Sequence, residues 1–181
     1  MKNMFRILLY IGALSLLLAG CKKDKDSSPN NYIKHGDVVY ELSQGYWENY
    51  GKPSIDKPYL VEITLLSSGI KLYESNSDLD SLAGNGQVIK FTLLNNSPDT
   101  LALGDYLLNK ESRPGTFEFG GVWLNADSQS KTGERLDFTD GKVTIKMNGS
   151  ESEIIFDCTV EGGKTISGYF KGSLKYFNND D

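Results

Sequence analysis

Val143-Thr144-Ile145-Lys146-Met147-Asn148-Gly149, followed after Ser150-Glu151-Ser152-Glu153 by Ile154-Ile155-Phe156-Asp157-Cys158-Thr159-Val160, decides the fold class of this chain. Val143, Ile145 and Met147 alternate with Thr144 and Lys146, the period of two that buries one set of side chains and wets the other. Asn148-Gly149 ends the run, a pair suited to a tight hairpin in which both turn residues take positive φ. Beyond it Ile154, Phe156, Cys158 and Val160 share one face, with Asp157 and Thr159 on the other. Glu161-Gly162-Gly163-Lys164 turns the chain again. Ile166, Phe170, Leu174 and Tyr176 then carry the apolar face on, opposite Ser167, Lys171, Ser173 and Lys175. Gly168 and Gly172 fall on the inward side and mark a bend or close packing against a neighbouring sheet.

Upstream the same grammar continues, and no segment keeps helical spacing for long. Residues 60–66 are β-branched and bounded by Pro58 and Ser67-Ser68-Gly69, with residues 70–73 as a short hairpin partner. Residues 88–94 follow Gly84-Asn85-Gly86 and end at Asn95-Asn96-Ser97-Pro98, a dense turn cluster. Residues 101–108 and 116–124 read as strands separated by Arg113-Pro114-Gly115. About nine or ten short strands with hairpin-length connections predict an all-β domain, an antiparallel β-sandwich, with a closed barrel as the alternative.

The amino terminus has a different chemistry. Lys2 and Arg6 precede an apolar stretch, residues 7–18, that is short for a permanent membrane span of about 20 residues and suits a signal segment. Leu18-Ala19-Gly20-Cys21 resembles the lipobox of bacterial lipoproteins, which implies a diacylglycerol on the Cys21 sulfur, cleavage before it, and N-acylation by a fatty acid such as palmitate. Two or more acyl chains hold a protein stably at a membrane, whereas one does so marginally. Lys22-Lys23-Asp24-Lys25-Asp26-Ser27-Ser28-Pro29-Asn30-Asn31 has no apolar residue and reads as a tether. The expected organisation is a signal peptide over 1–20, a lipidated cysteine and tether over 21–31, and one domain over 32–181. A charged run directly after the cysteine is similar to that of Bacteroidota lipoproteins, which implies the outer membrane, in either leaflet. Gly104-Asp105-Tyr106, Gly115-Thr116-Phe117 and the stretch from Gly141-Lys142-Val143-Thr144 to Gly168-Tyr169-Phe170-Lys171-Gly172 resemble small lipoproteins of the same group. That resemblance implies no activity.

Charge and composition exclude several function classes. Of 19 basic side chains, 17 remain once Lys2 and Arg6 are removed, against 24 acidic ones, a net charge of −7. Such a domain repels phosphate backbones, so nucleic acid is not an expected partner. With Cys21 acylated, Cys158 is the one remaining thiol and no intrachain disulfide forms. His35 is the single histidine, so neither a tetrahedral zinc site nor a nucleophile–histidine dyad is expected, and no cofactor is implied. Gly163-Lys164-Thr165 lacks the glycine five residues before Gly163, where Cys158 stands, and joins two strands; it is read as a turn rather than a phosphate loop. Asn76, Asp78 and Asp80 alternate like calcium ligands, but Ser81 and Gln87 replace the required glycine and glutamate. A solvated loop is expected there. Asp80-Ser81-Leu82 and Asp99-Thr100-Leu101 resemble the Asp-Ser/Thr-aliphatic acceptor for O-glycans of exported Bacteroidota proteins.

Two features bear on binding. Gly45-Tyr46-Trp47 resembles the Gly-x-Trp that opens the first strand of lipocalins, which implies a barrel carrying a small apolar ligand; here it follows a predicted strand over residues 38–42. The other is the aromatic group Tyr40, Tyr46, Trp47, Tyr50 and Tyr59 among Gly45, Gly51, Pro53 and Pro58. Aromatic faces on a loop suit stacking against sugar rings or partner side chains. Tyr46, Trp47 and Tyr50 are therefore the candidate ligand-binding residues, and Trp123, between Val122 and Leu124, is expected in the core. The expected function is a non-catalytic, membrane-anchored binding or interaction module for a glycan or an envelope protein.

Overall fold

The computed structural model describes residues 30–76, 78–109 and 111–178. The signal segment, Cys21 and the tether up to Pro29 lie outside the described residues. Twelve strands follow in order: β1 (Tyr32–His35), β2 (Val38–Glu41), β3 (Gln44–Asn49), β4 (Tyr59–Leu66), β5 (Ile70–Ser75), β6 (Asp78–Asn95), β7 (Gly104–Leu108), β8 (Thr116–Asp127), β9 (Thr132–Asn148), β10 (Glu151–Val160), β11 (Thr165–Gly172) and β12 (Leu174–Asn178). The all-β expectation holds. No helix among the described residues is long and apolar enough to cross a membrane.

Eleven strands lie on one hydrogen-bonded path, β12-β3-β4-β6-β8-β7-β9-β10-β11-β1-β2, while β5 pairs off it onto β6. The sheet curls on itself as a half-barrel. Its pairings are antiparallel except β12 with β3 and β7 with β8. A sandwich has two sheets with no ladder between them; here the ladder runs unbroken from one wall of the curl to the other. The chain itself draws the ends of the path together, since β2 runs into β3 through Leu42-Ser43 and β11 into β12 through Ser173.

The concave face is packed solid. Ile63, Ile89, Phe91, Phe117, Val143, Ile154, Phe156, Cys158, Ile166 and Phe170 are buried there. The Phe91 ring meets Phe117, Phe138 and Phe156 at centroid distances of 6.1, 5.6 and 5.4 Å. Ile154, Phe156, Cys158 and Val160 are all inward, as their alternation predicts. A second apolar cluster covers part of the convex face: Tyr46, Leu66, Ile70, Val88, Ala126 and Phe177, with Leu72, Leu79 and Leu82 of the β5–β6 ribbon folded onto it. An ion pair of Lys175 with Glu74 ties that ribbon to β12.

Several sequence expectations are corrected in detail. Asn148 pairs with Glu151, so the hairpin loop is Gly149-Ser150 and only Gly149 is at positive φ, +66°. Residues 70–73 pair with β6, not with residues 60–66. The strand read over residues 88–94 begins ten residues earlier, at Asp78, so Gly84-Asn85-Gly86 lies in the middle of β6, where the β4–β5 corner crosses it. A Cβ on Gly84 would lie 2.2 Å from the Gly69 carbonyl oxygen and one on Gly86 2.1 Å from Ser67 Oγ, so these glycines permit a close crossing. Glu161–Gly163 is a short 3-10 turn between β10 and β11, in line with the turn reading of Gly163-Lys164-Thr165. Trp123 is not in the inner core. Val122 and Leu124 point inward, and alternation places the residue between them on the convex face.

Candidate functional site

Alternation also separates the aromatic residues of β3. Tyr46 faces the convex cluster and is only 1% exposed, its ring edge-on to Phe177 at 5.6 Å. Trp47 points to the opposite face, packs against the inner core and meets the tilted Tyr176 ring at a centroid distance of 4.2 Å. Tyr50, just past the strand, is 47% exposed and donates a hydrogen bond to Glu48 Oε2 at 3.1 Å. Burial raises the Tyr46 and Tyr50 hydroxyls well above the usual tyrosine range, and the carboxylates of Glu48 and Glu62 add to it. Tyr46, Trp47 and Tyr50 thus do not share one surface, and Tyr50 is the one of the three that is about half exposed.

A cleft of about 430 Å³ opens instead on the convex face of β4, β6, β8 and β9. It forms where the sheet forks. β8 and β9 pair directly from Gly121 opposite Asp137 to Asp127 opposite Thr132. Towards the start of β8 they part, and β7 fills the gap, Leu107 and Leu108 against Thr116 and Phe117 on one side and Gly104–Leu107 against β9 on the other. The cleft lies at the apex of that fork, with Leu108, Glu118, Phe119, Phe138 and Thr139 at its rim.

The floor and walls follow from the register. Across the strands, Lys90 stands opposite Gly121, and Gly121 opposite Asp137. With no side chain at Gly121, a notch is left between Lys90 and Asp137. Two residues to either side on the same strand are Phe119 and Trp123, which wall the notch at both ends. A β-bulge makes this possible: Thr92 pairs with Phe119 but Leu93 pairs with Phe117, leaving Glu118 as the extra residue. The bulge reverses the phase of the strand, so Phe117 is buried inside while Phe119, 64% exposed, stands outside.

The polar groups come in pairs. Lys90 Nζ donates to Glu62 Oε1 at 2.6 Å, both side chains being partly buried. Arg135 Nε donates to Asp137 Oδ1 at 2.8 Å, while its guanidinium lies over the Trp123 ring, 5.0 Å from the centroid. Ser112 Oγ donates to Glu118 Oε1 at 2.8 Å. Glu62 also stands directly opposite Glu48 of β3, a residue only 3% exposed. Like charges opposite one another destabilise a strand pair, and the ammonium of Lys90 beside Glu62 offsets that repulsion. The cleft therefore combines two aromatic walls, a glycine floor and fixed donors and acceptors of both signs.

No group of three or more histidine, cysteine or acidic side chains suited to a metal ion occurs among the described residues. Cys158 is buried on β10 in the inner core and does not line the cleft, and desolvation pushes its thiol up to about 12. Ser75 Oγ donates to Asp80 Oδ1 at 2.8 Å across the turn that holds Asn76. Reading the sequence for aromatic clusters missed Phe119, Lys90 and Arg135, which lie on three strands. One signal was available: Phe119-x-Gly121-x-Trp123, large-small-large at period two beside an inward Val122. The chain matches no protein-family model, no curated protein and no solved structure.

Proposed function

We propose that this chain is a lipid-anchored cell-envelope protein whose domain binds a saccharide, without turning it over, in the cleft between Phe119 and Trp123. The observation that carries the reading is the alternation of exposed Phe119, buried Gly121 and partly buried Trp123 along one face of β8, with Lys90, Glu62, Arg135 and Asp137 around the glycine. Sugars offer apolar ring faces to aromatic side chains and hydroxyls to fixed polar groups, and this surface has both. The anchoring half rests on Leu18-Ala19-Gly20-Cys21 and the tether after it.

The polar pairing favours binding over hydrolysis. Glu62, Asp137 and Glu118 each already accept a hydrogen bond from a neighbour, which suits holding hydroxyls more than shuttling protons. The carrier alternative needs an interior cavity, and the Phe91 ring group occupies that place. The test is titration of the Trp47→Phe variant, in which Trp123 alone reports, with soluble neutral polysaccharides. Saturable change in Trp123 emission is expected, weakened about tenfold by Phe119→Ala, the equivalent of about 1.4 kcal/mol. Unchanged emission with every polysaccharide overturns the proposal, and release of reducing ends overturns its non-catalytic part.

A further inference from the structure

We infer, building on that reading, that the cleft selects for chain length: its ligand is a linear oligosaccharide of at least three sugar units lying along β8. The spacing of the walls carries this. From Phe119 to Trp123 the ladder with β6 is unbroken, residue for residue, Thr92 to Val88. Four residues of regular strand span about 13 Å. A single sugar ring cannot touch both aromatic side chains, and a disaccharide that covers one leaves the other bare. A chain of three reaches both, and its middle unit then lies over Gly121.

That middle position is where the polar groups converge. Lys90 and Asp137 flank Gly121 on the adjoining strands, each held by its own ion-pair partner. The Lys90–Glu62 pair is partly buried, so hydroxyls of the middle unit meet at least that donor and acceptor at reduced entropic cost, while the Arg135–Asp137 pair stands open to solvent beside them. A Cβ at Gly121, itself buried, would lie 2.9 Å from the Leu136 carbonyl oxygen and 3.1 Å from Asp137 Oδ1, so the floor, with the Asp137 carboxylate leaning over it, depends on glycine. The two walls differ. Trp123 is braced by the convex cluster and by Arg135, whereas Phe119 stands free at the fork. Trp123 with the notch forms the inner part of the site, and Phe119 adds the outer subsite that only a longer chain fills.

Calorimetric titration of the full chain with cello-oligosaccharides and malto-oligosaccharides of one to six units tests this. In the series that binds, affinity should rise about tenfold or more between two and three units and then level off. Phe119→Ala, at an exposed position that does not threaten folding, should weaken chains of three or more units about tenfold and so remove that step; Phe119→Trp should restore it. Equal affinity from one unit upward, or a Phe119→Ala loss that is the same at every length, overturns the length selection while leaving saccharide binding standing. Absence of binding at every length in both series overturns this inference, and the polysaccharide titration then decides separately whether the binding reading survives.

Discussion

Adding one methyl group at Gly168 tests the packing of the inner core. Gly168 lies in β11 opposite Phe156 of β10 and opposite Ile33 of β1. A Cβ there would sit 2.2 Å from Phe156 Cζ and 2.2 Å from the Tyr32 carbonyl oxygen. The ring cannot withdraw without losing its contact with Phe91, and the carbonyl belongs to a strand paired on both edges. Overpacking a core costs about 1–3 kcal/mol, and with a backbone atom among the two obstacles Gly168→Ala should reach the upper end, about 3 kcal/mol. For a domain of this size each kcal/mol lowers Tm by about 2–4 °C, so a fall of about 6–12 °C is expected. Urea unfolding should show an earlier midpoint with an unchanged m-value. Trimming the ring in Gly168→Ala/Phe156→Leu should recover only part of the loss, because the Tyr32 oxygen remains. A Gly168→Ala domain as stable as the parent would show instead that β1 gives way at little cost.

Cys158 should make the fold sensitive to alkali. Its thiol keeps its proton up to about 12 in the folded state against an ordinary value of 9.0. The unfolded chain therefore ionises first, and stability is lost as pH rises from about 9 towards 12, at up to about 1.4 kcal/mol per pH unit; Cys158→Val should flatten the start of that fall in unfolding curves taken across pH 8 to 11. Lys90→Met leaves Glu62 facing Glu48 without its cation and should cost about 1–2 kcal/mol by chemical denaturation, a loss that adding Glu62→Gln should largely reverse; a simple sum of the two single effects would count against that coupling. Cys21→Ser should move the protein from the membrane to the soluble fraction and abolish labelling by a fatty-acid analogue. A variant that still labels would place the lipid elsewhere.

The all-β fold class and the sidedness of individual strands are written in local sequence. The run from Val143 to Val160 could be assigned because alternation is a local property: Phe156 and Cys158 are inward whatever they pack against. Gly168 was legible as a point of close packing, though not which ring it admits. Turns with their own chemistry were legible too, and Asn148-Gly149 missed its loop by one residue because the register of a hairpin is set by both strands. Tertiary structure alone decided that one continuous curled sheet forms rather than two, since which strands pair at long range is not encoded in any local pattern. It also decided the cleft. A bulge at Glu118 reverses the alternation of β8, so that Phe117 is buried and Phe119 exposed; strict counting from Phe117 would have hidden the residue on which the proposed site depends. Lys90, Gly121 and Asp137 come from three strands and meet only through cross-strand register, and the fork that opens a cleft beside them exists only once β7 has entered between β8 and β9. A period-two pattern fixes which face a side chain takes within one unbroken strand; bulges and partner choice, which depend on the rest of the chain, fix what that face becomes.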